Sequence, residues 1–192
     1  MKVSFRLPLV LCVLSLLALT GCLAKNDIRL IYPSAEKITA PAATAPRVTV
    51  VQFEDKRGTA DLGQRKDGTA FQTVAGVPGW VTQAFADELA RQGVQVSVAL
   101  SMAQAQLSKP DCVVSGSVDK LWLSEKNISS YQAEVAVQVH KYGATGEPVV
   151  YRHSAQQEKS GIPGAKLAEE TLSGALADAL TAAASALAAS LR

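Results

Sequence analysis

The chain has 192 residues, of which 48% are hydrophobic and 19% charged, and its formal net charge is +2. This length and composition favour one globular domain with a sizeable core. The positive excess comes from Lys2 and Arg6, and the rest of the chain carries 17 basic and 17 acidic side chains. Because binding to phosphates needs an excess of positive charge, this balance predicts no nucleic-acid partner.

The first 22 residues follow the order of a lipoprotein signal sequence. A basic start precedes an apolar run over 7–19, and the run ends in Leu19-Thr20-Gly21-Cys22. Secretory signals have this order of basic region, apolar region and small residues at the cleavage site. A cysteine directly after the cut makes the motif a lipobox, in which the thiol takes a diacylglycerol and the new amine is acylated, for example with palmitate. We therefore predict that residues 1–21 are a cleaved signal peptide and that Cys22 is the lipidation site.

An uncut membrane anchor is the alternative for this segment. Its apolar run of thirteen residues is shorter than the roughly 20 residues that a helix needs to span a bilayer, which favours cleavage. Three acyl chains would hold the mature protein firmly in a membrane. Leu23, and not an aspartate, follows the cysteine, and in Gram-negative sorting of such lipoproteins this predicts the periplasmic face of the outer membrane.

Cys112 is the one cysteine outside the predicted signal peptide and lipobox. A lone thiol cannot form an intrachain disulfide, even in an oxidising compartment. Free cysteines are often fully buried, which favours a small buried residue at a strand start. A reactive or intermolecular thiol is the other interpretation.

Residues 22–46 are predicted to form a lipidated N-terminus and a flexible tether before a domain over 47–192. Prolines and small residues interrupt this segment without any period. The exception is the short alternating run Ile28-Arg29-Leu30-Ile31-Tyr32, which would suit an edge strand. The domain opens with a predicted interior strand over 47–53.

A long loop is predicted next, from Glu54 to about Val77. It carries four acidic and four basic residues between Glu54 and Asp67 and is punctuated by glycines. Loops of this length in a compact domain are often functional, so we expect it to be the main recognition element. Asp55 and Arg57 stand at its base, either as a local ion pair or as contacts to a partner.

The elements after the loop are shorter and more regular. Pro78-Gly79 opens a predicted helix that ends before Gly93, and a strand over 94–98 and a small helix over 101–106 follow. Strands are then predicted over 112–124, 131–141 and 148–154. The second of these alternates strictly, so its polar side chains should share one wet face of the sheet and form a partner-binding surface; they are Gln132, Glu134, Gln138 and His140.

An alanine-rich helix over 165–191 closes the chain. Its leucines recur at helical spacing, which predicts a buried stripe lying close on the sheet. A membrane span is the rival interpretation, but three carboxylates would be costly in hydrocarbon. The order of elements favours an α+β domain with helices packed on one face of a mostly antiparallel sheet.

No catalytic, phosphate-binding or metal-binding motif appears in the sequence. His140 and His153 lack cysteines or carboxylates at ligand spacing. We therefore predict a protein that is not an enzyme and that needs no metal or cofactor.

Several short motifs resemble the YajG-like bacterial lipoproteins. They begin with Ile28-Arg29-Leu30-Ile31-Tyr32-Pro33 and continue with Val48-Thr49-Val50-Val51-Gln52-Phe53-Glu54-Asp55-Lys56-Arg57-Gly58. Leu62-Gly63, Lys66-Asp67-Gly68 and Val77-Pro78-Gly79-Trp80-Val81 follow, so the likeness is most specific over 47–93. The resemblance implies an outer-membrane lipoprotein without an assigned enzymatic activity.

Two functions follow as hypotheses. The first is a non-enzymatic, lipid-anchored protein that binds an envelope protein partner in assembly or maintenance of the envelope. The second is a carrier or chaperone for a lipid or other apolar ligand, held in a groove between the sheet and the alanine-rich helix.

Overall fold

The computed structural model describes residues 26–33, 40–143 and 147–191. The predicted signal peptide, Cys22 and parts of the predicted tether lie outside these described residues. Eight strands and three helices occur in the described part of the chain, in this order: β1 (Arg47–Val51), β2 (Glu54–Asp55), β3 (Gly63–Gln64), β4 (Ala70–Phe71), α1 (Val77–Arg91), β5 (Gln95–Ala99), α2 (Met102–Leu107), β6 (Cys112–Asn127), β7 (Ser130–Tyr142), β8 (Val149–Ser160) and α3 (Ala165–Ala189).

One mixed sheet is built around the long strand β6. Along one edge, β6 pairs in parallel with β1, then β2, then β3, and β5 lies parallel to β1. Along its other edge, β6 pairs antiparallel with β7, which pairs antiparallel with β8. The α+β class is thus confirmed, but the expectation of a mostly antiparallel sheet was wrong. Antiparallel hairpins make the β6–β8 half of the sheet and the short β3–β4 pair. The strands β1 and β5 are parallel because α1 lies between them in the chain.

The two long helices cover one face of this sheet. α1 and α3 lie on it side by side, and buried residues of both join the main core, including Phe85, Leu89, Leu176 and Leu180. The short helix α2 lies on the opposite face, where Ala105 packs with Val51 and Val113. The prediction that the helices pack on one face is therefore correct for the long helices and wrong for α2. The reason is that β1 is buried on both faces and needs a cover on each.

The alanine-rich helix α3 forms the predicted buried stripe. Leu172, Leu176, Leu180 and Leu187 are fully buried, and the helix lies across β7 and β8. By length and composition it is apolar enough to cross a membrane. In this fold it is a core helix of the domain, in which alanines bring its backbone near the sheet.

The segment predicted as a loop, from Glu54 to Val77, belongs to the sheet and the core. It contains β2, β3 and β4, and Leu62 and Phe71 are fully buried. Gly63 passes so close to β6 that a Cβ at this position would lie 1.8 Å from the carbonyl oxygen of Leu123. The expectation of a long loop was therefore wrong, and a recognition role for this segment stays a prediction.

Part of the predicted tether also packs on the domain. Ile28 is buried in the main core, and its amide donates to the carbonyl oxygen of Gln72 at 2.7 Å. The run around it forms one isolated parallel bridge, Asp27 to Gln72, instead of a regular edge strand. Residues 26–33 are therefore a docked segment, which we call the N-terminal strap.

Candidate partner-binding groove on the open sheet face

The polar residues predicted on one wet face do share a face of the sheet. Gln132, Glu134, Gln138 and His140 alternate along β7 with fully buried residues and are each half-buried. The long helices lie against the opposite, apolar side of the same strands. We call the side that carries these polar residues the open face.

Cross-strand contacts hold the polar residues of β7 in place. Glu134 forms an ion pair with Lys120 of β6 and accepts a hydrogen bond from Gln132 Nε2 at 3.3 Å. Gln138 donates to Asp119, whose other carboxylate oxygen accepts from Ser117 Oγ at 2.8 Å. These side chains form an ordered polar surface rather than a set of independent groups.

His140 lies at a different place, in a groove at one end of the open face. The groove has a volume of about 470 Å³. It is bounded by α2, by the residues that follow β1, by the first half of β6 and by the end of β7. Its lining combines apolar and polar groups: Val51, Gln52, Glu54, Lys56, Leu100, Ser101, Met102, Ser115, Gly116, Ser117, His140 and Tyr142. A second groove of about 420 Å³ lies beside it and shares Met102 and Tyr142.

A close contact beneath the groove fixes its floor. Phe53 packs into the main core from the helix-covered side, against Gly116 of β6. A Cβ at Gly116 would lie 2.4 Å from the Phe53 ring, so only glycine permits this approach. On the open side, Ser115 Oγ and the Tyr142 hydroxyl lie 3.3 Å apart. The floor is thus rigid and polar.

Exposed leucines lie at both ends of α2, and Leu100 lines the first groove. Leu100 is 75% exposed and Leu107 is 83% exposed. Glu54 and Lys56 stand on another side of the first groove as an ion pair of 3.4 Å. Apolar side chains exposed beside a polar rim are typical of surfaces that bind other proteins.

Asp55 and Arg57 form the local ion pair that was one of their two predicted roles. Arg57 Nε and Nη2 donate to the two carboxylate oxygens of Asp55 at 2.8 and 2.7 Å. Hydrogen bonding to Arg57 holds the pKa of Asp55 below its ordinary value. Arg57 also donates to the carbonyl oxygen of Asp61 at 3.3 Å and is almost fully buried. The pair therefore fixes the backbone after β2, and contact with a partner at these residues stays a prediction.

Sequence patterns missed most of the groove. Met102, Ser115 and Tyr142 come from three separate elements. The helix α2 was not expected to lie on the open face. No sequence signal indicated that the open face would have a groove.

Cys112 lies at the start of β6 and is buried, as its favoured interpretation predicted. Burial raises the pKa of its thiol. A raised pKa leaves less of the reactive thiolate at neutral pH.

The interface predicted for an apolar ligand, between the sheet and α3, is closely packed. Ala175, Ala179 and Ala183 are each at most 1% exposed and belong to the same core as the leucine stripe. Both grooves described above lie on the opposite side of the sheet. Among the described residues, no group of three or more potential metal ligands occurs.

Comparison with known proteins reveals a shared fold and no family. No protein-family model matches the chain, and a search of curated proteins gave no match. A Xanthomonas campestris protein of the family DUF330 has a TM-score of 0.54 at 9% identity, over 80% of this chain and 93% of its own. The PelC dodecamer from Paraburkholderia phytofirmans gives a TM-score of 0.48 at 17% identity, over 74% of this chain and 92% of its own. Lipoprotein GNA1162 from Neisseria meningitidis gives a TM-score of 0.43 at 14% identity, over 75% of this chain and 99% of its own.

At these identities a structural likeness shows the fold alone. The likeness to the Xanthomonas protein shows that the two chains share an overall fold. The other two likenesses, with TM-scores below 0.5, support no further statement.

Proposed function

We propose that this chain is a lipid-anchored lipoprotein of the bacterial envelope that binds a protein partner through the groove on its open face. It is a non-enzymatic protein of the outer membrane and faces the periplasm. The lipobox ending in Cys22 supports the anchor, and Leu23 after it supports the outer membrane. The resemblance of residues 47–93 to YajG-like lipoproteins agrees with both.

One observation carries the partner-binding role: a rigid groove with exposed leucines beside it. A fully solvated protein surface gains nothing from exposing two leucines at the ends of a six-residue helix. If a partner covers them, each buried side chain contributes about 1.5–3 kcal/mol to binding. The polar floor and the Glu54–Lys56 pair would provide orientation and specificity.

The anchor is tested by Cys22→Ser. The thiol of Cys22 is the only acylation point in the lipobox, so the variant should lose its acyl chains and leave the membrane fraction or stay uncleaved. Fractionation on detergent-free sucrose gradients and the intact mass of the protein give the answer. A variant that remains with the outer membrane at its unmodified mass would contradict the proposed anchor.

The partner is tested by site-specific photo-crosslinking in intact cells. A photoreactive residue at Gln52, which is exposed and lines the groove, should give a discrete crosslinked protein. The matched control is Thr181, which is exposed on the outer side of α3. Equal crosslinking from both positions, or none from Gln52, would contradict the groove as the binding site.

A further inference from the structure

The domain presents different surfaces at the two ends of the long strand β6. The strand has sixteen residues, so its ends are about 50 Å apart at 3.2–3.4 Å per residue. The grooves and α2 lie near Cys112, and we call this the groove end. The turn between β6 and β7, at 128–129, lies at the other end, which we call the turn end.

The N-terminal strap leaves the domain at the turn end. The amide of Gln72, just after β4, donates to the carbonyl oxygen of Asn26 at 3.0 Å. The β3–β4 pair joins β6 at Leu123 and Ser124, close to the turn. Phe71 of β4 also packs on Tyr131 of β7, with ring centroids 6.1 Å apart.

Two buried carboxylates hold the strap in this position. Glu169 accepts 3.0 Å hydrogen bonds from the backbone amide and the guanidinium of Arg29. Glu88 accepts a 2.6 Å hydrogen bond from the Tyr32 hydroxyl and forms an ion pair with Arg91. Because carboxylates this deeply buried need their partners, the strap is an integral part of the domain surface.

The chain between the anchor and the strap is short. Only residues 23–25 lie between Cys22 and Asn26, so the two Cα atoms are at most about 14 Å apart even in a fully extended chain. The headgroup layer on one side of a bilayer is itself about 5–7 Å thick. A lipidated Cys22 would therefore keep the turn end within a few ångströms of the headgroups.

The turn end presents side chains that suit a lipid surface. Ile128 and Ile162 are 77% and 90% exposed. The loops that carry Ile128 and Ile162 are joined by a 2.9 Å hydrogen bond from the Gly161 amide to the Ser129 carbonyl oxygen.

Basic side chains stand beside these apolar ones. Lys126 precedes the turn, and Lys66 is exposed where its amide donates to Glu125 at 3.2 Å. Asp67 is the exposed acidic residue next to Lys66. Exposed aliphatic tips with lysines around them are typical of surfaces that lie in the headgroup region of a membrane.

We infer that the turn end is a lipid-contacting surface, on which Ile128 and Ile162 enter the headgroup region while the groove end points away from the membrane. This inference rests on the proposed lipidation of Cys22. It gives the groove an orientation: its floor on β6, at Ser115 to Ser117, lies roughly 30–40 Å from the turn at 3.2–3.4 Å per residue, where a partner in the aqueous compartment can reach it.

Spin-label accessibility in the lipidated protein tests this orientation. Single cysteines replace Ile128, Ile162 or Leu107 in a Cys112→Ala background, since the acylated Cys22 thiol does not react with the label. Leu107 is the matched control because it is an equally exposed leucine at the groove end. Each protein is placed in vesicles of phosphatidylethanolamine and phosphatidylglycerol, and collision with oxygen is compared with collision with a water-soluble nickel chelate.

The inference predicts a several-fold rise in the oxygen-to-nickel ratio at 128 and 162 on transfer into vesicles, with no rise at 107. Equal ratios at all three positions in protein that floats with the vesicles would overturn the inference and leave the anchor intact. Failure of the protein to float would overturn the proposed lipidation, and the inference with it. A rise at 107 alone would show the opposite orientation.

Discussion

The two faces of strands β6, β7 and β8 differ in burial and polarity. On the covered face, alternate residues such as Val135, Val137 and Val139 lie under α3 with 1% exposure or less. On the open face, the residues between them form hydrogen bonds and ion pairs across the strands or line the groove. The same three strands thus separate the residues that stabilise the fold from those that we propose to bind a partner. Substitutions that introduce the same charge on each side of the sheet can test this division.

The largest difference should appear when a carboxylate is introduced on each face. Leu180→Asp places a charge on the buried side of α3, in the core between this helix and the covered face, and we expect it to lower the free energy of unfolding by about 4 kcal/mol or more. The control Ser154→Asp adds the same charge on the open face of β8, where the expected change is within about 0.5 kcal/mol. Denaturant unfolding of the parent and of both variants measures these changes in the free energy of unfolding. Similar losses in the two variants would contradict the division between the faces.

The segment from Glu54 to Val77 should behave like core in spite of its loop-like sequence. Leu62→Ala removes a fully buried side chain, and we expect a loss of about 2–5 kcal/mol. Replacing residues 59–70 by a Gly-Ser turn should destabilise the domain further, because β3 is lost as well. The control Asp61→Ala, one residue earlier, should change stability little, as thermal unfolding will show. A shortened variant that melts like the parent would return this segment to the role of an independent recognition loop.

A smaller, pH-dependent effect is expected where the N-terminal strap meets α3. Burial raises the pKa of Glu169, but the hydrogen bonds from Arg29 outweigh it, so the pKa lies below the ordinary value of 4.5. A carboxyl with a lowered folded-state pKa stabilises the fold above its unfolded pKa, and this contribution is lost as the pH falls through the folded pKa. Because the Arg29 side chain is 74% exposed, solvent screening limits the contribution to about 1 kcal/mol.

The test of this contact compares melting temperatures of the parent and Glu169→Gln from pH 7 to pH 3. The parent should be the more stable above pH 4.5, and the difference should shrink below it. A difference that grows on acidification would contradict the assigned role of the pair. The variant Glu170→Gln is the control, because Glu170 lies one residue on and is exposed.

The regular elements were predictable from local pattern, and their arrangement was not. The alternation of β7 and the leucine stripe of α3 follow from the need to bury one face, which is why both were predicted correctly. Parallel pairing of β1 with β6 depends on residues more than 60 positions apart, and two-residue strands such as β3 have no periodic signal. The strap was predicted as part of the tether because its docking depends on Glu88 and Glu169, far away in the sequence.

The candidate site, too, was predictable from the sequence only in part. The polar row on β7 was predicted from its own alternation, whereas the groove depends on the position of α2 across the end of the sheet. That position follows from the small cluster around Ala105, in which no residue is distinctive in sequence. The role of Phe53 beneath Gly116 is likewise visible only in three dimensions.

The central claim is that the groove on the open face binds a protein partner without being needed for stability. The most direct measurement is crosslinking from Gln52 in cells that carry Leu100→Glu together with Leu107→Glu, combined with the melting temperature of the purified variant. We expect the crosslinked product to be lost while the melting temperature stays at the parent value and Thr181→Glu leaves both unchanged. Retention of the crosslink by a variant that is folded would contradict the claim.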